Sequence, residues 1–190
     1  MKNRKWMFVL LMSLFVIQLS VPAYMIGNRE MTLRYGKQFK FKAEPIDPFD
    51  AFRGRYVEVN IRNEGIDVAE GEKYMTGDRV FVLLETDAQG FALMKSISKE
   101  RPKGTDYFET RIYYGSFKED GVMDKAYVRI PFSRYYMEES LAPKAEEEYN
   151  RSIREQNKEV YVTVRVRNGS TVLEGLFIEG VRVEEYLKKY

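Results

Sequence analysis

The chain has 190 residues, with 31 Lys and Arg against 29 Asp and Glu, and it contains neither Cys nor His. Without cysteine there are no disulfides, Fe–S clusters or thiolate metal sites; without histidine there is no Ser-His-Asp triad, His-bearing metal site or imidazole switch. The near balance of charge also excludes a basic nucleic-acid binder. Residues 6–26, WMFVLLMSLFVIQLSVPAYMI, carry no Asp, Glu, Lys or Arg. At about 1.5 Å rise per residue, such a helix crosses a hydrocarbon core of about 30 Å. Lys2, Arg4 and Lys5 precede this run, so the positive-inside bias predicts a cytoplasmic N-terminus and an extracytoplasmic remainder at the cell membrane. The competing reading is a cleaved secretory signal, since Val21-Pro22-Ala23 makes a tolerable cleavage site. The apolar run continues through Tyr24, Met25 and Ile26, which favours an uncleaved anchor. The predicted organisation is therefore a basic tip and transmembrane helix over 1–27, followed by one domain over 28–190.

Taken in chain order, Arg29–Lys37 reads as a helical extension, and Gln38–Glu44 alternates as a strand with Phe39, Phe41 and Ala43 on one face. Pro45 and Pro48 bracket a turn, within which 47–52 offers one helical turn capped by Asp47. Arg55–Ile61 alternates again, with Tyr56 opposite Val57, and 62–78 is loop-rich. Arg79–Thr86 and Phe91–Ser98 form a hairpin about the turn 87–90. Tyr107–Tyr114 is a strand, and so is Ala126–Met137, interrupted by Pro131. Pro143–Lys158 is the one soluble helix, lying on a surface with Ala145, Tyr149 and Ile153 inward and with Glu147–Arg151 and Arg151–Glu155 pairs outward. Two strands then meet at Asn168-Gly169, a type I′ signature. That turn sets Val166 opposite Thr171, Val164 opposite Leu173 and Val160 opposite Phe177, with Arg165 opposite Val172 and Thr163 opposite Glu174. The predicted buried face holds Val160, Val162, Val164, Val166, Leu173 and Phe177. The fold class is mainly antiparallel β behind one transmembrane helix, with one surface helix.

The segment E44-P45-I46-D47-P48-F49-D50-A51-F52-R53-G54-R55-Y56-V57-E58-V59-N60 resembles the motif region of the membrane-anchored bacterial GDYXXLXY family. Pro45, Asp47, Pro48, Asp50, Arg53, Gly54, Tyr56 and Val57 match that motif, whereas Arg55 replaces its Asp, Val59 its Leu and Asn60 its final Tyr. F132-S133-R134-Y135-Y136-M137-E138-E139 is similar to the family's aromatic pair followed by Glu, and L176-F177-I178-E179-G180 to its terminal strand. The resemblance implies a membrane-anchored protein without an assigned activity, with a polytopic membrane protein as its partner. Read physically, Asp47 and Asp50 cap a turn, Arg53 and Arg55 pair with them, Gly54 takes a positive φ, and Tyr56 buries its ring. The candidate binding residues are Asp47, Asp50, Arg53, Gly54, Arg55, Tyr56, Tyr135, Tyr136 and Glu139.

Other chemistry is weaker. Lys95 sits on a hairpin strand, but a Ser-Lys dyad needs a serine just outside the membrane, and Ser13 and Ser20 both lie within the span. The acids 138–139 and 146–148 lack the alternating spacing of a calcium loop and read as a solvated helix start. Tyr107, Tyr113, Phe132 and Tyr136 default to core packing. No metal, cofactor or nucleic acid is expected. The expected function is that of an extracytoplasmic binding or accessory protein with no catalysis of its own. The alternative is a hydrolase of envelope polymers or peptides that uses paired carboxylates.

Overall fold

The computed structural model describes residues 2–45, 56–69, 71–119, 121–155 and 158–189. The proposed corner with Asp47, Asp50, Arg53, Gly54 and Arg55 lies outside the described residues. The N-terminal helix α1 (Lys2–Tyr35) takes in the whole apolar run and the extension after it, with Pro22 inside. Its portion Lys5–Tyr35 is long and apolar enough to cross a membrane. The strands β1 (Lys37–Glu44), β2 (Tyr56–Glu58), β3 (Asn60–Ile61), β4 (Ile66–Asp67), β5 (Arg79–Thr86), β6 (Ala92–Ser98), β7 (Tyr107–Phe117), β8 (Met123–Val128) and β9 (Arg134–Tyr136) come next. Helix α2 (Ala142–Arg154) precedes the strands β10 (Val160–Arg167), β11 (Ser170–Ile178) and β12 (Val181–Arg182), and α3 (Val183–Lys189) closes the chain.

Two five-stranded antiparallel sheets, ordered β12-β11-β10-β1-β3 and β4-β8-β7-β5-β6, share one core, and the ladder β2-β9 pairs separately. Phe132 joins the two large sheets: its ring lies 4.9 Å from Phe41 on β1 and 5.7 Å from Phe108 on β7. Alternation explains the strands locally. On β5, Val80, Val82 and Leu84 are buried between exposed or half-buried neighbours. The span expected as one strand over 126–137 is divided at Pro131 into β8 and β9, which enter different sheets. Likewise β2 and β3 divide the expected strand 55–61, with β2 pairing to β9 and β3 to β1.

Helix α2 begins at Ala142 with Pro143 in its first turn, where a missing N–H costs nothing. It ends at Arg154, short of the expected Lys158. Ala145 and Tyr149 are fully buried as the pattern predicts. The acids are less solvated than expected: Glu148 is buried, and Arg151 pairs with it, one turn back, rather than with Glu147 or Glu155. Helix α3 is a further element, with Val183 and Tyr186 buried.

The β10–β11 hairpin turns at Asn168 (φ 50°) and Gly169 (φ 88°), both in the left-handed region that a type I′ turn requires. The pairs Val166–Thr171, Arg165–Val172 and Val164–Leu173 form as expected. Beyond them a bulge leaves Glu174 unopposed, so Thr163 faces Gly175 and Val160 faces Ile178, not Glu174 and Phe177. The buried positions of β11 are consequently Val172, Gly175, Leu176 and Ile178, while Leu173 and Phe177 are half-buried. Gly175 makes the shift fit, because a Cβ there would lie 2.7 Å from the Phe177 ring. That ring stacks on Tyr161 at 5.1 Å. With Tyr161 and Thr163 buried as well as the four valines, β10 is covered on both faces.

Candidate functional site

Two of the three sequence segments singled out as motif-like, 44–60 and 132–139, are hydrogen-bonded to each other. The ladder β2–β9 sets Tyr56 opposite Tyr136, Val57 opposite Tyr135 and Glu58 opposite Arg134. Period two then divides the residues by face. Val57 and Tyr135 point inward and are buried, whereas Tyr136 and Arg134 are exposed and Tyr56 is half-buried. On the outer face the Tyr56 and Tyr136 rings lie 5.7 Å apart, and the Arg134 guanidinium stands 5.0 Å from the Tyr56 ring. A cation held over an aromatic face keeps its N–H edge available for an anion. Tyr136 is thus a surface residue rather than core, and so is Tyr113, which is 53 % exposed; Tyr107 and Phe132 are buried as expected. Glu139 lies exposed in the turn that leads to α2.

The inner face feeds a polar chain. The Tyr135 hydroxyl donates to Glu184 at the start of α3, and Arg182 Nε approaches that hydroxyl at 3.4 Å. Burial, reinforced by the Glu184 carboxylate, pushes the Tyr135 pKa up to about 12. The hydroxyl is therefore a fixed donor, not a base. Arg182 Nη2 donates to the Glu174 carbonyl at 2.7 Å. The Glu174 carboxylate accepts two bonds from Arg165, at 2.9 and 3.0 Å, and one from Gln38 at 2.6 Å. Burial pushes Glu174 up, but the bonds from Arg165 and Gln38, together with the charges of Arg165 and Arg182, outweigh it and hold the carboxyl below its ordinary value. Arg165 Nη1 also donates to the Gly36 carbonyl at 3.1 Å, so the chain of polar contacts ends where α1 meets the domain. At that junction Thr32 is fully buried and Asn28 donates to Ser170 at 3.1 Å.

Sequence reasoning missed Glu184 and Arg182 as partners of Tyr135, and Glu174 as the partner of Arg182, although the polar–apolar alternation of V181-R182-V183-E184 was a signal. It did place Lys95 correctly on an exposed hairpin face, where it pairs with Glu85. Among the described residues, no group of three or more acidic side chains is placed to hold a metal ion. Chemically, the outer ladder can hold an anion or a flat apolar face.

An apolar N-terminal helix built into an antiparallel β domain, with two aromatic segments paired in a short ladder, defines a single-helix, β-domain class of protein. The chain belongs to the GDYXXLXY protein family, whose profile matches residues 18–176. No curated protein and no solved structure matches it.

Proposed function

We propose that this protein is a membrane-anchored, extracytoplasmic binding or accessory subunit, with a cytoplasmic N-terminus and a polytopic membrane protein as its partner. The observation that carries this reading is the junction of α1 with the domain. The helix continues without a break from the apolar run to Tyr35, and its end is built into the β10–β11 hairpin through Asn28, Thr32 and Gly36. Residues 5–31 are exposed along their whole length, a surface suited to lipid or to partner helices. Such a joint transmits force and position, as an accessory subunit needs, where a signal peptide needs none. The alternative of a carboxylate hydrolase fares less well. A general acid needs a raised pKa, and among the described residues the carboxyls with clear shifts, Asp78, Asp124 and Glu174, are held low.

Two measurements test the reading. A reporter active only in the cytoplasm, fused after Tyr190, is expected to stay silent; strong activity would overturn the orientation. Purification of the full-length chain in mild detergent is expected to bring down a polytopic membrane protein. That recovery should disappear when residues 6–26 are replaced by an unrelated span. Recovery of the chain alone under both conditions would refute the accessory role.

A further inference from the structure

Below the paired tyrosines a groove of about 520 Å³ runs between the start of β9, the end of β8, strand β11 and the base of α1. Three arginines line it: Arg134 from β9, Arg129 just after β8, and Arg29 from α1. None of the described residues that line it is acidic. Several other cations of the domain are ion-paired, as in Lys37–Asp106, Arg79–Glu109 and Arg165–Glu174. Among the described residues, no carboxylate lies within ion-pairing distance of Arg29, Arg129 or Arg134. Three arginines lining one groove, with no carboxylate among its described lining residues, suit a phosphate or similar oxyanion.

The position of the groove selects the source of that anion. Arg29 stands three residues beyond Ile26, the last residue of the apolar run, which is about 4.5 Å further along the helix. The headgroup layer is about 5–7 Å deep on each side of the hydrocarbon core, so Arg29 falls within it if residues 6–26 span. A second groove, of about 510 Å³, shares Arg29, Pro131, Thr171 and Val172 with the first and continues along α1 to Met25 and Tyr24. Among the described residues that line it, one is acidic, Glu109, which is paired with Arg79. The arginine groove therefore opens toward the depth of acyl chains. We propose that it binds the phosphate of an anionic phospholipid headgroup in the leaflet that α1 leaves, with the acyl chains descending along Tyr24 and Met25. Arg129 and Arg134 supply charge-assisted hydrogen bonds, and Arg29 closes the site from the helix side.

This inference rests on the anchored reading above, and its test separates the two. Full-length protein is reconstituted into nanodiscs of equal phosphatidylglycerol and phosphatidylcholine, and its retained lipids are counted by native mass spectrometry. Wild type is expected to retain phosphatidylglycerol at least about fivefold over phosphatidylcholine. The pair Arg129→Gln/Arg134→Gln should lose that preference, and Arg129→Lys/Arg134→Lys, which keeps the charge, should restore most of it. Circular dichroism melting of each variant checks that the β domain is folded, and the lysine pair keeps the test decisive if the glutamine pair is not. Equal retention of the two lipids by wild type would overturn the proposal, as would an undiminished preference in a folded glutamine pair. Binding of inorganic phosphate to the same arginines in lipid-free detergent, without lipid preference in nanodiscs, would assign the site to a free anion and overturn the lipid. Failure of the chain to enter nanodiscs would instead refute the anchor, and the lipid site with it.

Discussion

Tyr149 ties α2 to the sheet where β1 meets β3, and removing its hydroxyl isolates one contribution to that joint. The side chain is fully buried. Its hydroxyl donates to the Glu44 carbonyl at 2.7 Å and accepts from the Asn60 N–H at 3.3 Å. Burial raises its pKa well above the usual tyrosine value, so it stays a neutral donor. Tyr149→Phe keeps the ring and deletes both bonds. Asn60 is exposed, so water can replace the longer bond, whereas the Glu44 carbonyl loses its short partner beside a buried ring. The expected loss is about 1–2 kcal/mol, or about 2–8 °C in melting temperature for a chain of this size. Tyr149→Ala, which also empties the ring's space, should cost about 3–5 kcal/mol. Tyr113→Phe, on the surface, should stay within about 0.5 kcal/mol. The assay is thermal unfolding of the full-length chain in detergent, tracked by the β signal in circular dichroism. A Tyr149→Phe protein that melts within about 1 °C of wild type would refute the reasoning, because the hydroxyl could not then hold α2 to the Glu44 carbonyl.

On β10, Val164→Ala and Arg165→Ala should cost similar amounts, about 1–3 kcal/mol each in denaturant unfolding, the first through lost methyl groups and the second through the stranded Glu174 carboxylate. Glu174 should also show in the acid limb: its held-down carboxyl contributes stability that is present above the ordinary value of 4.5 and is lost as pH falls through its lower native value. Glu174→Gln should therefore flatten melting temperature against pH below that point, and an unchanged acid limb would contradict it. At the alkaline end, the Tyr135 contribution is whole below its ordinary value of 10.0 and is lost as pH rises through about 12. Tyr135→Phe should make unfolding above pH 10 less steep, as measured by the same circular dichroism signal.

The elements legible in the sequence were those with a repeating pattern. The alternation of RVFVLLET gave β5 to the residue, and Asn168-Gly169 set the register for three pairs outward from the turn. Register failed at Glu174 because the bulge answers to tertiary partners: Arg165 and Gln38 hold its carboxylate, and the bare Gly175 leaves room for Phe177. Strands of two or three residues, such as β3, β4 and β12, are too short to show a period. The candidate site obeyed the same rule. Tyr56 and the pair Tyr135-Tyr136 stood out one segment at a time, but their pairing joins distant parts of the chain. Arg29 and Arg129 look like ordinary surface cations until the fold sets them along one groove with Arg134.

Because α1 is one unbroken helix whose last turns dock on the hairpin through Asn28 and the buried Thr32, the apolar run and the β domain share a rotational phase. Each residue added to such a helix turns the downstream chain by about 100° and advances it by about 1.5 Å. A single alanine inserted at Gly27, where a Cβ meets nothing within 4 Å, would leave both ends intact yet swing the domain by more than a quarter turn about the helix axis. The azimuth at which the domain faces its surroundings is thus encoded in the count of residues between Pro22 and Asn28. Two insertions should disturb the proposed partner contact more than four, which bring the helix nearly back into phase.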